Sequence, residues 1–188
     1  LEGGNYYLTE DITTSLQLRF SGTVRICLNG HTLSHVDGQG NEFLYVNNNA
    51  TLELCDCQGT GVVDAGSKRG IYTTSGTTTH LYGGTITAAN NAVATYGVVT
   101  VDGARLVSTN QPVINGQGGS NILIKSGSLE SKSITQAVSI YTNNFRMEGG
   151  SILTNNGSYG IFVGNNKAVT ISGGSIQAPK GCGINLFG

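Results

Sequence analysis

The chain has 188 residues, only 11% of them charged, and a formal net charge of −1. That balance supplies no basic face for nucleic acid and no polybasic run for an anionic membrane surface. The apolar residues fall in short runs, so no segment reads as a membrane-spanning helix and no membrane insertion is expected.

Residues 1–23 contain Tyr6-Tyr7-Leu8, Ile12, Leu16, Leu18 and Phe20. They read as an irregular first coil that covers one end of a core. A regular pattern then takes over, in which alternating apolar residues run into a glycine corner and out again to a Ser/Thr-apolar pair. It is clearest in His80-Leu81-Tyr82-Gly83-Gly84-Thr85-Ile86, Thr100-Val101-Asp102-Gly103-Ala104-Arg105-Leu106 and Leu123-Ile124-Lys125-Ser126-Gly127-Ser128-Leu129. It returns in Arg146-Met147-Glu148-Gly149-Gly150-Ser151-Ile152 and Thr170-Ile171-Ser172-Gly173-Gly174-Ser175-Ile176. Short strands recurring at about 20–27 residues are the signature of a solenoid.

Stacking the repeats gives three columns of inward apolar residues. The first is Leu44, Ile71, Val93, Val113, Val138, Ile161 and Ile184. The second is Ile26, Leu54, Leu81, Val101, Ile124, Met147 and Ile171. The third is Leu33, Val62, Ile86, Leu106, Leu129, Ile152 and Ile176. Three strands per lap, each stacked on its copy in the next, predict an all-β fold: a right-handed, single-stranded parallel β-helix of about seven coils, forming one domain over 1–188. One residue resists the alignment. Asn115 falls where the first column wants an inward apolar side chain, so either Val113-Ile114 shifts face or Asn115 makes a buried hydrogen bond.

Asparagine groups (47–49, 90–91, 143–144, 155–156, 165–166) fall at the expected corners, where Asn tolerates the left-handed backbone of tight turns. They are expected to stack as side-chain ladders. The chain stops at Gly183-Ile184-Asn185-Leu186-Phe187-Gly188, within an expected strand. It opens without Met or an apolar leader. Both features suit a segment of a longer secreted protein, with neighbouring-domain or end-to-end packing at the C-terminal end.

The four cysteines do not have zinc-ribbon spacing, and neither a metal nor a cofactor is expected. Cys27 and Cys55 take equivalent outward places on adjacent coils and form the disulfide candidate. Cys57 is the rival partner, and Cys182 is expected to be free. His31, His35 and His80 read as structural. The glycine pairs are turn residues, because no helix follows them to form a phosphate loop.

The segments Tyr6-Tyr7-Leu8-Thr9-Glu10-Asp11-Ile12, Ile26-Cys27-Leu28-Asn29-Gly30-His31-Thr32-Leu33 and Leu52-Glu53-Leu54-Cys55-Asp56-Cys57-Gln58-Gly59 resemble a pattern found in large secreted or cell-surface proteins of Gram-positive anaerobic bacteria. These are β-helix modules of the pectate-lyase-like superfamily. The resemblance implies an extracellular location. It leaves activity open, since relatives of the fold include polysaccharide lyases, glycoside hydrolases, adhesins and phage tail proteins.

Sugar-cleaving members of such a family need clustered acids. The outward column of the second face reads Cys27, Cys55, Tyr82, Asp102, Lys125, Glu148 and Ser172. Asp102, Lys125 and Glu148 alternate in sign there, as Arg25 and Glu53 do in the column before it, which suits surface ion pairing. Asp102 and Glu148 lie two rungs apart, roughly 9–10 Å, wide even for an inverting pair. They are the acids to test if the chain is an enzyme, but no catalytic residue is assigned. The first face offers Tyr45, Tyr72, Tyr96, Tyr141 and Phe162, aromatics placed to stack on sugar rings or on a cell-surface protein. The expected function is therefore an extracellular structural or adhesive rod with a glycan- or partner-binding face. The alternative is a carbohydrate-active enzyme or its non-catalytic segment. An ice-binding rod fits less well, because the threonines do not repeat from coil to coil.

Overall fold

A computed structural model describes residues 1–38 and 40–187 of the chain. The described residues form strands and turns with no helix, and none of them forms a helix long and apolar enough to cross a membrane. The strands wind as a parallel β-helix, right-handed as parallel crossovers require.

The chain completes eight coils. The first is β1 (Gly4–Tyr7), β2 (Ile12–Thr14) and β3 (Leu18–Phe20). The second is β4 (Thr23–Cys27), β5 (Thr32–His35) and β6 (Glu42–Val46). The third is β7 (Thr51–Cys55), β8 (Val62–Asp64) and β9 (Arg69–Thr73). The fourth is β10 (Thr78–Leu81), β11 (Thr85–Ala88) and β12 (Val93–Thr95). In the fifth and sixth coils one long strand bends through two faces: β13 (Val98–Ser108) leads to β14 (Ile114–Gly116), and β15 (Asn121–Ser131) to β16 (Gln136–Ile140). The seventh is β17 (Asn144–Met147), β18 (Ser151–Thr154) and β19 (Tyr159–Val163). The eighth is β20 (Val169–Ile171), β21 (Ser175–Gln177) and β22 (Cys182–Leu186).

The first face is an eight-stranded parallel sheet, ordered β22-β19-β16-β14-β12-β9-β6-β3. The second and third faces are continuous through β13 and β15 and count as one sheet of 14 strands. Residues 4–20 pair in register with the second coil (Tyr6 against Ile26, Ile12 against Leu33, Leu18 against Leu44). The stretch expected as an irregular lap is thus a full coil, and it accounts for the eighth.

Alternation drives the folding of each lap. In β4, Val24 and Ile26 are buried while Thr23 and Arg25 are exposed, and β7 repeats this with Leu52 and Leu54. Each such Leu or Ile contributes roughly 1.5–3 kcal/mol by leaving water. The second column stands as expected from Ile26 to Ile171. The other two slip once each. Val63, not Val62, stacks between Leu33 and Ile86. Ile114, not Val113, stacks between Val93 and Val138. In both places two apolar β-branched residues are adjacent, so alternation fits either one. Val113 is still buried, at the strand's entry.

The asparagines do lie at corners, and Asn48, Asn49 and Asn166 have positive φ. They do not form ladders: among the described residues no two asparagine side chains bond to each other. Asn91 donates to the Pro112 carbonyl (2.6 Å), Asn155 to Glu130 Oε1 (2.9 Å), and Asn143 Oδ1 accepts from the Ala168 amide (3.2 Å). Adjacent corners differ in length and residue, so each amide finds its own local partner.

Candidate functional site

The register of the first face places one outward column along the rod: Arg19, Tyr45, Tyr72, Ala94, Asn115, Ser139, Phe162 and Asn185. Two residues further along the chain, Tyr96, Gln117 and Tyr141 flank it. Asn115 is therefore outward, and the slip to Ile114 is what turns it out.

The five aromatics of this face form two groups, not one stripe. Tyr45 and Tyr72 stack at 5.7 Å between ring centroids, 23° from parallel, and Tyr96 meets Tyr72 edge-on at 6.2 Å. Further along, Tyr141 and Phe162 lie 6.0 Å apart, and Phe162 also packs against Tyr159 and Phe187. Between the groups the column carries only Ala94, Asn115 and Ser139. Ala94 and Ser139 are buried, and Gln136 donates its side-chain amide to Ser139 Oγ at 2.6 Å, so only Asn115 is partly open between the aromatic groups. Tyr72 and Phe162 are four rungs apart, about 19 Å along the axis.

At the tyrosine end there is an open cleft of about 180 Å³, lined by Arg69, Tyr72, Ala94, Tyr96, Asn115 and Gln117. Gln117 donates its amide to Asn115 Oδ1 at 2.7 Å. This holds the pair in place and leaves Asn115 Nδ2 as a donor and Gln117 Oε1 as an acceptor. The Arg69 guanidinium lies 5.7 Å from the Tyr72 ring centre, and its Nε is buried without a hydrogen-bond partner. A charged donor left unpaired out of water is costly, and an incoming acceptor relieves that cost. Arg19 caps the other side of the ladder, 4.9 Å from the Tyr45 ring. Burial, with Tyr96 and Tyr45 alongside, pushes the Tyr72 phenol above its ordinary range, so it stays a neutral hydroxyl. A larger cleft of about 680 Å³ lies between Arg19 and Asp37, Gly38, Gly40, Asn41 and Glu42, and its described lining residues include no aromatic.

The acids of the second face are engaged elsewhere. A bulge displaces Lys125, so that Asp102 pairs with Ser126. Asp102 accepts from Ser126 Oγ at 2.9 Å and lies 3.7 Å from Lys125 Nζ. Glu148 does not continue that alternation: it pairs with Arg146 on its own strand side at 2.9 Å. Arg25 and Glu53 form the expected pair across β4 and β7 at 2.6 Å. His31 sits 3.4 Å from Asp11, His35 is buried against Phe43, and His80 stacks on Tyr82.

Cys27 and Cys55 are register neighbours on β4 and β7, but the closer sulfur to Cys27 is that of Cys57. Cys27 Sγ lies 3.2 Å from Cys57 Sγ, while the Cys55 thiol turns toward the Ile26 carbonyl at 3.6 Å. The corner after β7 curls Cys57 back over the second coil, which favours the rival partner. All four cysteines are free thiols. Among the described residues no group of three or more His, Cys, Asp or Glu is arranged to hold a metal ion.

Sequence reasoning found the aromatics of this face and missed Arg69, Asn115 and Gln117 as their polar complement. The signal was hidden in the Val113-Ile114 ambiguity: with the wrong register Asn115 points inward and is lost from the cleft. No protein-family model matches the chain, and no curated protein or solved structure matches it.

Proposed function

We propose that the chain is an extracellular, rod-like β-helix module that binds glycan along its first face. The observation that carries this reading is the cleft at the end of the tyrosine ladder. Tyr72 and Tyr96 offer ring faces to the apolar side of a sugar, and Asn115, Gln117 and Arg69 offer fixed polar groups to its hydroxyls. A few placed polar groups beside aromatic walls are the usual anatomy of a small-ligand site. The aromatics continue along the rod as far as Phe162, a direction that suits an extended polysaccharide better than a compact ligand. The secreted location and the kinship with pectate-lyase-like modules of Gram-positive anaerobes belong to this proposal and rest on the sequence resemblance. Binding without cleavage is favoured because Asp102 and Glu148 are both held in ion pairs on a different face.

A glycan array probed with the wild-type chain and with the Tyr72→Ala/Tyr96→Ala double variant tests the reading. The expected result is binding to a defined set of oligosaccharides that falls at least about tenfold in the variant, in line with the ~1–3 kcal/mol typical of stacked aromatic anchors. Undiminished binding by a folded variant removes the site.

A further inference from the structure

Outside the first face, the densest group of reactive side chains is where the corner after β4 in the second coil stacks on the corner after β7 in the third. Three thiols meet there: Cys27 at the end of β4, Cys55 at the end of β7, and Cys57 two residues further on. The three differ in setting. Cys57 is exposed, and Cys27 and Cys55 are half-buried. The corner is held firmly, because the Asp56 carboxylate between the two later cysteines accepts the amides of Gly30 (2.7 Å) and Gly61 (2.6 Å). Cys57 Sγ is also within 3.4 Å of Asn29 Oδ1, across the same corner. Cys27 and Cys57 are thus presented to each other at 3.2 Å by a fixed turn.

We propose that this corner is a thiol–disulfide exchange site in which Cys27 is the attacking sulfur, Cys57 the resolving sulfur and Cys55 a bystander, with small disulfides such as oxidised glutathione as its reactants. The Cys27 thiolate attacks one sulfur of the disulfide RSSR. The Cys27–SR bond forms, the S–S bond of the reagent breaks, and one RS⁻ leaves with the electron pair. Cys57, giving up its proton to solvent, then attacks the Cys27 sulfur and expels the second RS⁻. Both RS⁻ are protonated by solvent. The sum is two protein thiols plus RSSR giving one protein disulfide plus two RSH, with the protein oxidised and the reagent reduced.

The surroundings of the sulfurs support this division of roles. Burial works against ionisation at Cys27, but the Cys57 thiol, the backbone N–H groups of Cys57 and Asn29 and the Cys55 thiol outweigh it and bring Cys27 below the ordinary thiol range. Cys55 is pushed up to about 11, by burial first and then by the charge of Cys27 beside it. The thiolate is the attacking species, so Cys27 is expected to react faster than Cys55.

The experiment uses the whole chain carrying Cys182→Ser, so that the remote exposed thiol cannot form intermolecular bonds. The reduced protein is exposed to oxidised glutathione at pH 8, quenched and mapped by peptide mass spectrometry. The expected product is a Cys27–Cys57 disulfide. In the added Cys57→Ser variant the glutathione adduct is expected to accumulate on Cys27. Timed alkylation of the reduced chain with iodoacetamide is expected to modify Cys27 several-fold faster than Cys55. A Cys27–Cys55 bond, an adduct on Cys55 in the Cys57→Ser variant, or equal alkylation rates at Cys27 and Cys55 would each overturn the assignment. Thiol mapping does not depend on glycan binding, so failure here leaves the first-face site untouched.

Discussion

Asp56 is half-buried at a corner and bonds to three backbone amides on two coils: Gly30 and Gly61 closely, and Gln58 at 3.4 Å. Burial raises its proton affinity, but the amides of Gly61, Gly30, Gln58 and Gly59 outweigh it and hold the carboxyl below the usual carboxylate range. A depressed folded-state pKa stabilises the fold above the unfolded value near 4 and loses that contribution as the pH falls through the folded value. Asp56→Asn keeps one acceptor oxygen and loses the other along with the charge. It is expected to cost about 1–2 kcal/mol at pH 7, read as a lower Tm in thermal melts followed by circular dichroism. The gap between the two proteins should narrow as the pH drops below about 4. A gap of constant size from pH 7 to pH 3 would show that the charge is not what holds the corner. Arg69 is a different kind of residue. Its Nε is buried without a hydrogen-bond partner and adds nothing evident to stability.

The bent strands β13 and β15 show what the glycine corners do. Gly127, in the middle of β15, has a φ of +100°, and a β-carbon there would come within 2.3 Å of the Ala104 carbonyl oxygen in the coil below. Gly59, at an exposed corner, has a φ of +81° but nothing within 4 Å of the same position. Gly59→Ala is therefore expected to cost only the backbone term, about 1–2 kcal/mol. Gly127→Ala adds a clash that the stacked strands cannot absorb, and its loss should be larger, about 3 kcal/mol or more. Urea titration of both variants measures the difference, and equal losses would mean that the coils can spread apart there. Such glycine corners are why the strands could be read from the sequence at all. Corner followed by apolar alternation identifies each lap, and the second column is legible from end to end because no two of its apolar residues are adjacent in an ambiguous way. Val62-Val63 and Val113-Ile114 could not be resolved so, because adjacent β-branched residues fit either face until the stacking partners Leu33 and Val93 choose between them. Sulfur positions were beyond reach for a related reason. Register gave the Cys27–Cys55 neighbourhood correctly, but which thiol turns toward Cys27 depends on how the corner carrying Cys57 folds back.

Across the eight coils, one continuous apolar core runs from Leu8 and Phe20 to Val163, with Ile176 packed against it. The core makes the rod stiff, and stiffness fixes the spacing of what the faces carry. On the first face the outward column changes from aromatic to small and polar and back to aromatic, while the second face carries paired charges. This asymmetry between two faces built on the same strand repeat is what the proposed glycan site rests on. The glycan reading depends on whether a sugar settles in the cleft beside Tyr72 and Tyr96. The most direct measurement is a titration of the isotopically labelled chain with the strongest oligosaccharide from the array, followed by two-dimensional ¹H–¹⁵N NMR. The expected result is that the side-chain amides of Asn115 and Gln117 and the Nε–H of Arg69 shift together and saturate with one affinity, while the amides around Asp102, Lys125 and Glu148 stay in place. Shifts confined to the Asp102–Glu148 face, or none at Asn115, Gln117 and Arg69 under saturating ligand, would contradict it.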